Sequence, residues 1–342
     1  MTATVKKHGR IPFLMDPLLI EDPVYGKKEL RNETVLAIIK TPEFQRLKGI
    51  NQYGTGNYMT PKMPTTRYEH SIGVYLLLQK LGASFEEQIA GLLHDISHTA
   101  FSHVVDFLRN ESMKQDFHEL HLKRVLESSE IKEILGKEGF RIDRITDHSG
   151  YSLLDSDDQS LNADRLDYGM RDGLLFGTFR KDRIDKVLGS LLVKDGQIVL
   201  ADEEAASAAA WGYFHTSTQF WSNPLFGGSY MALVAALRAA LDKGVIREED
   251  LFGTDEEVMG KLKASEDARI MHYLGFIDWV NLSEQEHGEF MIKTKARYID
   301  PLFWKKGKLI RYSEADEVFK ERVEAWVREM KNGHRVGINT KL

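Results

Sequence analysis

Between Arg67 and Asp106 the chain sets histidines and aspartates into segments whose apolar patterning belongs to buried helices. The run reads R-Y-E-H at 67–70, L-L-H-D-I-S-H at 92–98 and F-S-H-V-V-D at 101–106. Residues 67–81 are apolar nearly all round (Ile72, Val74, Tyr75, Leu76, Leu77, Leu78), which predicts a helix buried on every side. Phe85, Ile89, Leu92 and Leu93 recur at i, i+4, i+7 and i+8. That spacing predicts a second helix, capped by Ser84 and ended by His94-Asp95. Six of the twelve histidines fall between His70 and His121. Buried imidazole beside carboxylate is the donor chemistry a borderline divalent metal selects. The fold must therefore be a helical core that closes on a polar site.

The chain has no cysteine, which excludes a disulfide scaffold and leaves only nitrogen and oxygen to hold a metal. A net charge of −6 argues against a surface that tracks nucleic acid throughout. No apolar run approaches the roughly 18 residues of a membrane span. Ile11–Ile20 carries Asp16 and two prolines, a poor signal-peptide core. The expected location is cytoplasmic. A length of 342 predicts two units. Residues 1–190 would hold the metal site; residues 191–342 would add a hairpin, pocket-completing helices and a C-terminal α/β lobe packed on the core.

In chain order, residues 1–26 read as irregular, punctuated by Pro12, Pro17, Pro23 and Gly26. Asn32 caps one helix, and Thr41-Pro42 opens another. Tyr53–Thr66 is a loop. A third helix of the site region is expected over His98–Arg109, followed by short helices at His118–Glu127 and Ile131–Lys137. Residues 149–160 form a loop before helix Leu161–Arg171, on which Asp167 and Arg171 form a helix-face ion pair. Leu191–Ala201 is a hairpin turning at Asp195-Gly196. Ala205–Trp221 and Leu225–Leu241 are helices. The acidic stretches Glu248–Asp250 and Asp255–Glu257 are solvated helix starts. Phe290–Ile299 is a strand, Pro301–Leu309 a turn region and Ser313–Met330 a closing helix.

His70, His94 and Asp95 come from two neighbouring buried helices and can serve one cation. Spacing leaves a fourth ligand open among Asp155, Asp157, Asp158, Asp164 and Asp167. A divalent ion lowers the pKa of its water from ~15.7 toward ~7, about 12 kcal/mol of hydroxide stabilisation. Arg67 stands one turn before His70, and Arg165 adjoins Asp164. His98, His103 and His118 can shuttle protons near neutral pH. Metal, arginine and several histidines together suit an anionic phosphorus centre better than a neutral amide. His121, His148, His272, His287 and His334 are read as surface or structural.

The ordered set R-x-x-H, H-D-x-x-H-x-x-F-S-H, H-E, then D-R-x-D-Y-x-x-R-D resembles the HD-domain metal-dependent phosphohydrolases. It is most similar to the dNTP triphosphohydrolase branch related to the sterile-alpha-motif and HD-domain protein, over residues 18–230 and weakly at 295–301. The resemblance implies a mainly α fold: a helical HD core, a small hairpin and strand region, and a helical C-terminal lobe. It implies His70, His94, Asp95 and Asp164 as metal ligands. It places Arg67, His98 and Arg165 on the phosphates, His118 as acid with Asp106 as its supporting carboxylate, and His103 near the scissile phosphate. Gln52, Tyr168 and Asp172 match positions around the sugar, and His215, in F-H-T at 214–216, matches a motif near the pocket. Tyr53 stands where relatives pack a leucine against deoxyribose. Asp22, Gln45 and Lys48 match an effector-nucleotide site in part, with Lys48 replacing an arginine whose planar fork it lacks. The implied cofactor is one divalent ion among Fe, Mn, Zn, Co and Ni, with a second ion, Mg, allowed on the substrate phosphates. The implied partners are a nucleotide or phosphate ester and further copies of this chain, with no membrane. Three functions remain open: a nucleoside triphosphate hydrolase, another HD chemistry such as a 5′-nucleotidase or cyclic-nucleotide phosphodiesterase, and a non-catalytic nucleotide sensor.

Overall fold

A computed structural model describes residues 15–59, 65–109, 117–156, 159–278 and 280–338. Asp157, Asp158 and the start of the expected irregular N-terminus lie outside these residues. Strands β1 (Leu18–Asp22) and β2 (Gly26–Leu30) form a hairpin where an irregular segment is expected. Asp22 closes its turn by accepting from the amides of Val24 and Tyr25, and Gly26 takes the left-handed φ of 72° that the turn requires. Helix α1 (Glu33–Lys40) is capped by Asn32, and α2 (Pro42–Arg46) by Thr41 with proline at its first position, as expected. A short α3 (Gly56–Met59) lies inside the expected loop.

Helix α4 (Arg67–Leu81) starts on a capping box of Thr66 and Glu69 and buries ten residues. Helix α5 (Phe85–Leu93) is capped by Ser84 and packs on α4. The helix expected over 98–109 shrinks to α6 (Val104–Leu108). Distant partners capture the backbone groups a helix would have paired within itself. The amide of Ala100 donates to Leu251 O (2.8 Å), and that of Phe101 to Asp255 Oδ1 (2.6 Å). Arg46 Nη2 donates to the carbonyls of Ile96 (2.9 Å) and His98 (2.8 Å). Phe101 and Ser102 are left in left-handed conformations.

Helices α7 (Phe117–Glu127), α8 (Ile131–Lys137) and α9 (Ile142–Ile145) follow, with α9 packed on α5, α7 on α8 and α9, and α8 on α1, and lead to α10 (Ala163–Phe176). Helix α10 crosses α4 at Gly73, where any β-carbon would overlap Asp167 and Arg171. After α11 (Lys181–Ser190), strands β3 (Leu191–Lys194) and β4 (Gln197–Leu200) turn at Asp195-Gly196, both left-handed. Helix α12 (Glu203–Thr216) runs into a π-helical turn, Ser217–Trp221, before α13 (Pro224–Asp242). Helix α13 corrects one expectation: it is long and apolar enough to cross a membrane. It packs on α6 and on α15 (Ala268–Leu274), with more than half of that window buried. Helix α14 (Asp255–Ala264) begins on the second acidic stretch, as expected, but Asp255 turns inward to the amides of Asn51 and Phe101 rather than into solvent.

The strand expected over 290–299 is only β6 (Phe290–Ile292). It pairs with β9 (His334–Ile338), which also pairs with β5 (Leu282–Glu284). The expected turn region is a hairpin, β7 (Leu302–Lys305) and β8 (Lys308–Arg311), closed by left-handed Lys306-Gly307. Strand β7 joins β4 in parallel through Leu200 and Phe303. The closing helix breaks at Asp316 into α16 (Tyr312–Ala315) and α17 (Glu317–Met330), because Asp316 caps the second by accepting from Phe319 N. One apolar cluster runs from Val24 to Met330 and includes faces of α4, α5 and α10; a second joins α6 to α13, α14 and α15.

Candidate metal centre and cleft

Separate stretches of chain deliver four side chains to one point. Helix α4 brings His70. The end of α5 releases His94 and Asp95 together, and the Asn162 cap sets Asp164 in the first turn of α10. His70 Nε2 lies 3.0 Å from Asp164 Oδ1 and 3.5 Å from Asp95 Oδ2. His94 Nε2 lies 3.5 Å from both Asp95 Oδ1 and Asp164 Oδ1. Bonds of ~2.1 Å to one ion set neighbouring donors about 3.0 Å apart in an octahedron and about 3.4 Å apart in a tetrahedron. The observed separations fit a shared ion. His94 Nδ1 donates to the Gly91 carbonyl (2.8 Å), and His70 Nδ1 faces Asp167 Oδ2 (2.8 Å). Both Nδ1 atoms then carry the hydrogen, and both Nε2 lone pairs turn to the centre. His94 Nε2 is buried without a hydrogen-bond partner, a costly state unless a ligand meets it.

The charges agree. Burial pushes His70 down, but Asp164 and Asp167 outweigh it and hold it up at about 9. Burial pushes Asp95 up, but Arg67, His94 and His98 bring it well below the usual carboxylate range. These carboxylates demand positive charge at the centre; a proton supplies one unit and a divalent cation two. Asp167 is no part of the donor set. It accepts from Tyr25 OH (2.7 Å) and from Arg171 Nε (3.0 Å) and Nη2 (2.9 Å), and Arg171 Nη1 reaches Asp22 (2.9 Å). The ion pair expected on a helix face is thus buried behind the metal ligands. Asp155 lines the cleft but accepts from Ser156 N and Asn162 Nδ2.

A wall of histidines stands beside the centre. His98 and His118 stack at 3.9 Å, and burial pushes both down, His118 to about 3. His98 Nε2 lies 3.2 Å from Asp95 Oδ1. Asp95, His98 and His118 form a second group of donors close enough to share an ion, although two imidazoles suit Mg poorly. Asp106 does not support His118, as the resemblance implied. It accepts from His103 Nδ1 (3.0 Å) and from the Phe117 amide (3.2 Å). Left-handed Phe101 and Ser102 reorient the chain just before His103, so the lost helix decides this pairing.

The centre opens into a cleft of about 420 Å³ lined by Arg67, Arg165, Gln52, Tyr53, Tyr168 and Asp172 among others. Arg67 is almost wholly buried; its Nη1 donates to Asp95 (2.7 Å) and its Nε to Ser102 Oγ (3.0 Å). Arg165 Nη2 donates to the Ser156 carbonyl (2.7 Å). Gln52 Oε1 is buried without a partner. Tyr53 OH donates to Asp172, whose other oxygen accepts from Trp221 Nε1 (2.7 Å). Burial raises Asp172 well above the carboxylate range, so this wall presents a neutral acid. Tyr168 and Tyr213 meet through their hydroxyls.

Other expectations need correction. His215 is exposed on α12, stacked on Trp211, and is not among the residues lining the cleft. Asp22 bonds Arg171, Gln45 bonds the Ile39 carbonyl, and Lys48 lies over the Tyr68 ring. Sequence reasoning missed His148, which lines the cleft with Nε2 buried and unpartnered. Burial, with the His94 charge, pushes it down to about 4. It sits in T-D-H-S-G, a loop without periodicity to flag it. Lys295 and Arg297 were missed as cleft residues too, within a segment read as a strand.

A family model described as HD domain matches residues 67–166. The chain is 38% identical to the uncharacterised protein YdhJ of Bacillus subtilis over 317 residues, covering 92% of this chain and 97% of YdhJ. It is 29% identical to the metal-dependent phosphohydrolase cns2 of Cordyceps militaris, covering 85% of this chain and 86% of cns2. Human deoxynucleoside triphosphate triphosphohydrolase SAMHD1 is 43% identical, but only over 26% of this chain and 16% of its own. A phosphohydrolase from Bacteroides thetaiotaomicron shares the fold, with a TM-score of 0.72 at 17% identity over 95% of this chain and all of its own. A hypothetical protein of Aquifex aeolicus shares it too, with a TM-score of 0.71 at 19% identity over 95% of this chain and 97% of its own.

Proposed function

The chain belongs to the HD-domain superfamily of metal-dependent phosphohydrolases, and from that premise we propose that it cleaves a nucleoside triphosphate into nucleoside and inorganic triphosphate. One observation carries the reading: a single cleft joins a two-His, two-Asp donor set to arginines and histidines at one end and to stacked aromatics at the other. An anionic chain attached to a flat base meets both ends; a neutral ester or amide makes no use of the positive charge at the first. His70, His94, Asp95 and Asp164 would hold a divalent ion, which would supply Lewis acidity and lower the pKa of a bound water. The rest falls to the side chains. His103 is the group we place beside the departing 5′-oxygen as proton donor: burial pushes its imidazole down, and the Asp106 carboxylate that it meets pulls the other way, toward the protonated form. His98 and His118, kept neutral by burial, orient the attacking water and the phosphate oxygens through their ring nitrogens. Asp172, held neutral, and Tyr53 bind the sugar.

A second reading, a nucleoside monophosphate phosphatase, draws on one fact: Arg67 and Arg165 are already engaged by Asp95 and by backbone carbonyls. Incubation of the Mn²⁺-loaded enzyme with dNTPs, NTPs, NMPs and cyclic nucleotides, followed by product chromatography, separates the readings. Nucleoside with intact inorganic triphosphate is the expected product. Free phosphate from monophosphates alone, or ring opening, would overturn the assignment.

A further inference from the structure

Residues 293–300 link β6 to β7 without joining any strand among the described residues. Buried side chains anchor the link at both ends, Ile292 at 2% exposure and Ile299 at 1%, and the Asp300 amide donates to the Gln159 carbonyl (2.8 Å). Between these anchors, all five residues from Thr294 to Tyr298 line the cleft. Thr294 Oγ1 is buried there without a hydrogen-bond partner. Lys295 and Arg297 are two residues apart, and both reach the same cavity. The Arg297 charge bears on several walls of it: it adds to the burial that pushes His103 down, and it opposes the burial that pushes Tyr168, Tyr213 and Tyr230 up.

A triphosphate carries several negative charges, and each oxygen brought out of water needs a donor or a cation. Arg67 stands at the metal centre through Asp95, and Lys295 and Arg297 add two further positive groups to the wall of the same cleft. We propose that this strap is the polyphosphate-reading element of the cleft, with Arg297, assisted by Lys295, binding the phosphates beyond the scissile one. The planar guanidinium suits two phosphate oxygens at once, and the lysine adds a point charge. The strap thereby makes the enzyme prefer a long phosphate chain over a monophosphate. This rests on the triphosphate reading given above.

The test uses the Mn²⁺-loaded full chain and the variants Arg297→Ala, Arg297→Lys and Lys295→Ala. KM and kcat are measured on nucleoside mono-, di- and triphosphates of one base, and binding of inorganic tripolyphosphate is measured by calorimetry. Arg297→Ala should weaken tripolyphosphate binding and raise KM for the triphosphate by about tenfold or more, the loss of one charge-assisted contact. Values for the monophosphate should stay within about twofold, and Arg297→Lys should recover part of the loss. Equal loss on mono- and triphosphate, or unchanged tripolyphosphate binding, overturns the proposal. Should Arg297→Ala fail to fold, Arg297→Lys and Lys295→Ala carry the same comparison. If the wild type cleaves only monophosphates yet binds tripolyphosphate through Arg297, the triphosphate reading fails and the strap stands. If it cleaves triphosphates and Arg297→Ala matches it throughout, only the strap fails.

Discussion

Asp164 and Asp167 stand one turn apart on α10 and differ in what they hold. The side chain of Asp164 is 30% exposed and faces His70 and His94. Asp167 is fully buried and shares its oxygens among His70, Tyr25 and Arg171. Asp164→Asn should therefore abolish stoichiometric metal binding while destabilising the metal-free protein less than Asp167→Asn does. Asp167→Asn removes the charge that balances buried Arg171, and breaking such a pair costs about 3–5 kcal/mol. It also loosens the orientation of His70, which should weaken the metal by ~10–100-fold. Elemental analysis of reconstituted protein and urea denaturation of the metal-free forms read the two effects apart. Equal stability of the two variants would contradict the buried network.

Elements meet closely at two places that the site depends on. Helices α4 and α10 touch at Gly73, so Gly73→Ala should push Asp167 and Arg171 aside and cost about 1–3 kcal/mol in urea unfolding. The start of α14 is tied to the site by Asp255, which accepts from the amides of Asn51 (2.9 Å) and Phe101 (2.6 Å). Burial pushes this carboxyl up to about 7, against the pull of those amides and of Arg67 and Arg46. Its folded value then lies above the unfolded ~3.9, so the folded state holds the proton more tightly. The stability this contributes is full below the unfolded value and is lost as pH rises through about 7. Asp255→Asn, which stays neutral, should gain on the wild type as pH rises from about 4 to about 7 when urea midpoints are compared. The opposite trend would show that the amides keep Asp255 ionised. These ties also explain what the sequence could reveal. Helices α4 and α5 were legible because their apolar spacing and caps are local, and the metal donors because they sit within those helices. The helix predicted over His98–Arg109 failed because Arg46, Leu251 and Asp255, all distant in sequence, capture its backbone. The strap at 293–300 was misread as strand because its side chains serve a cavity, which no period of two or 3.6 can announce. The Lys306-Gly307 hairpin was missed because its flanking lysines mask the alternation.

For the whole molecule, the donors to one ion come from α4, from the turn after α5 and from α10, and His70 and Asp164 lie 94 positions apart. An unfolded chain cannot gather them, so binding energy adds directly to folding energy. At a free metal concentration of 100 times the dissociation constant, the gain is about 2.7 kcal/mol. The apolar cluster that includes α4, α5 and α10 is continuous without the ion, so chelation should lower the urea midpoint without removing the helical signal. The loss of order should be local. The segment from His94 to His103 lies outside any helix, and turns held by few local bonds open first. Hydrogen exchange should therefore show amides from His94 to His103 and at the start of α10 losing protection on chelation, while those in the middle of α4 keep theirs. Asp164→Asn supplies the control: its midpoint and exchange pattern should not respond to Mn²⁺. If the wild type is equally indifferent to saturating Mn²⁺, these four side chains do not hold an ion, and the convergence of His70, His94, Asp95 and Asp164 is a buried polar network only.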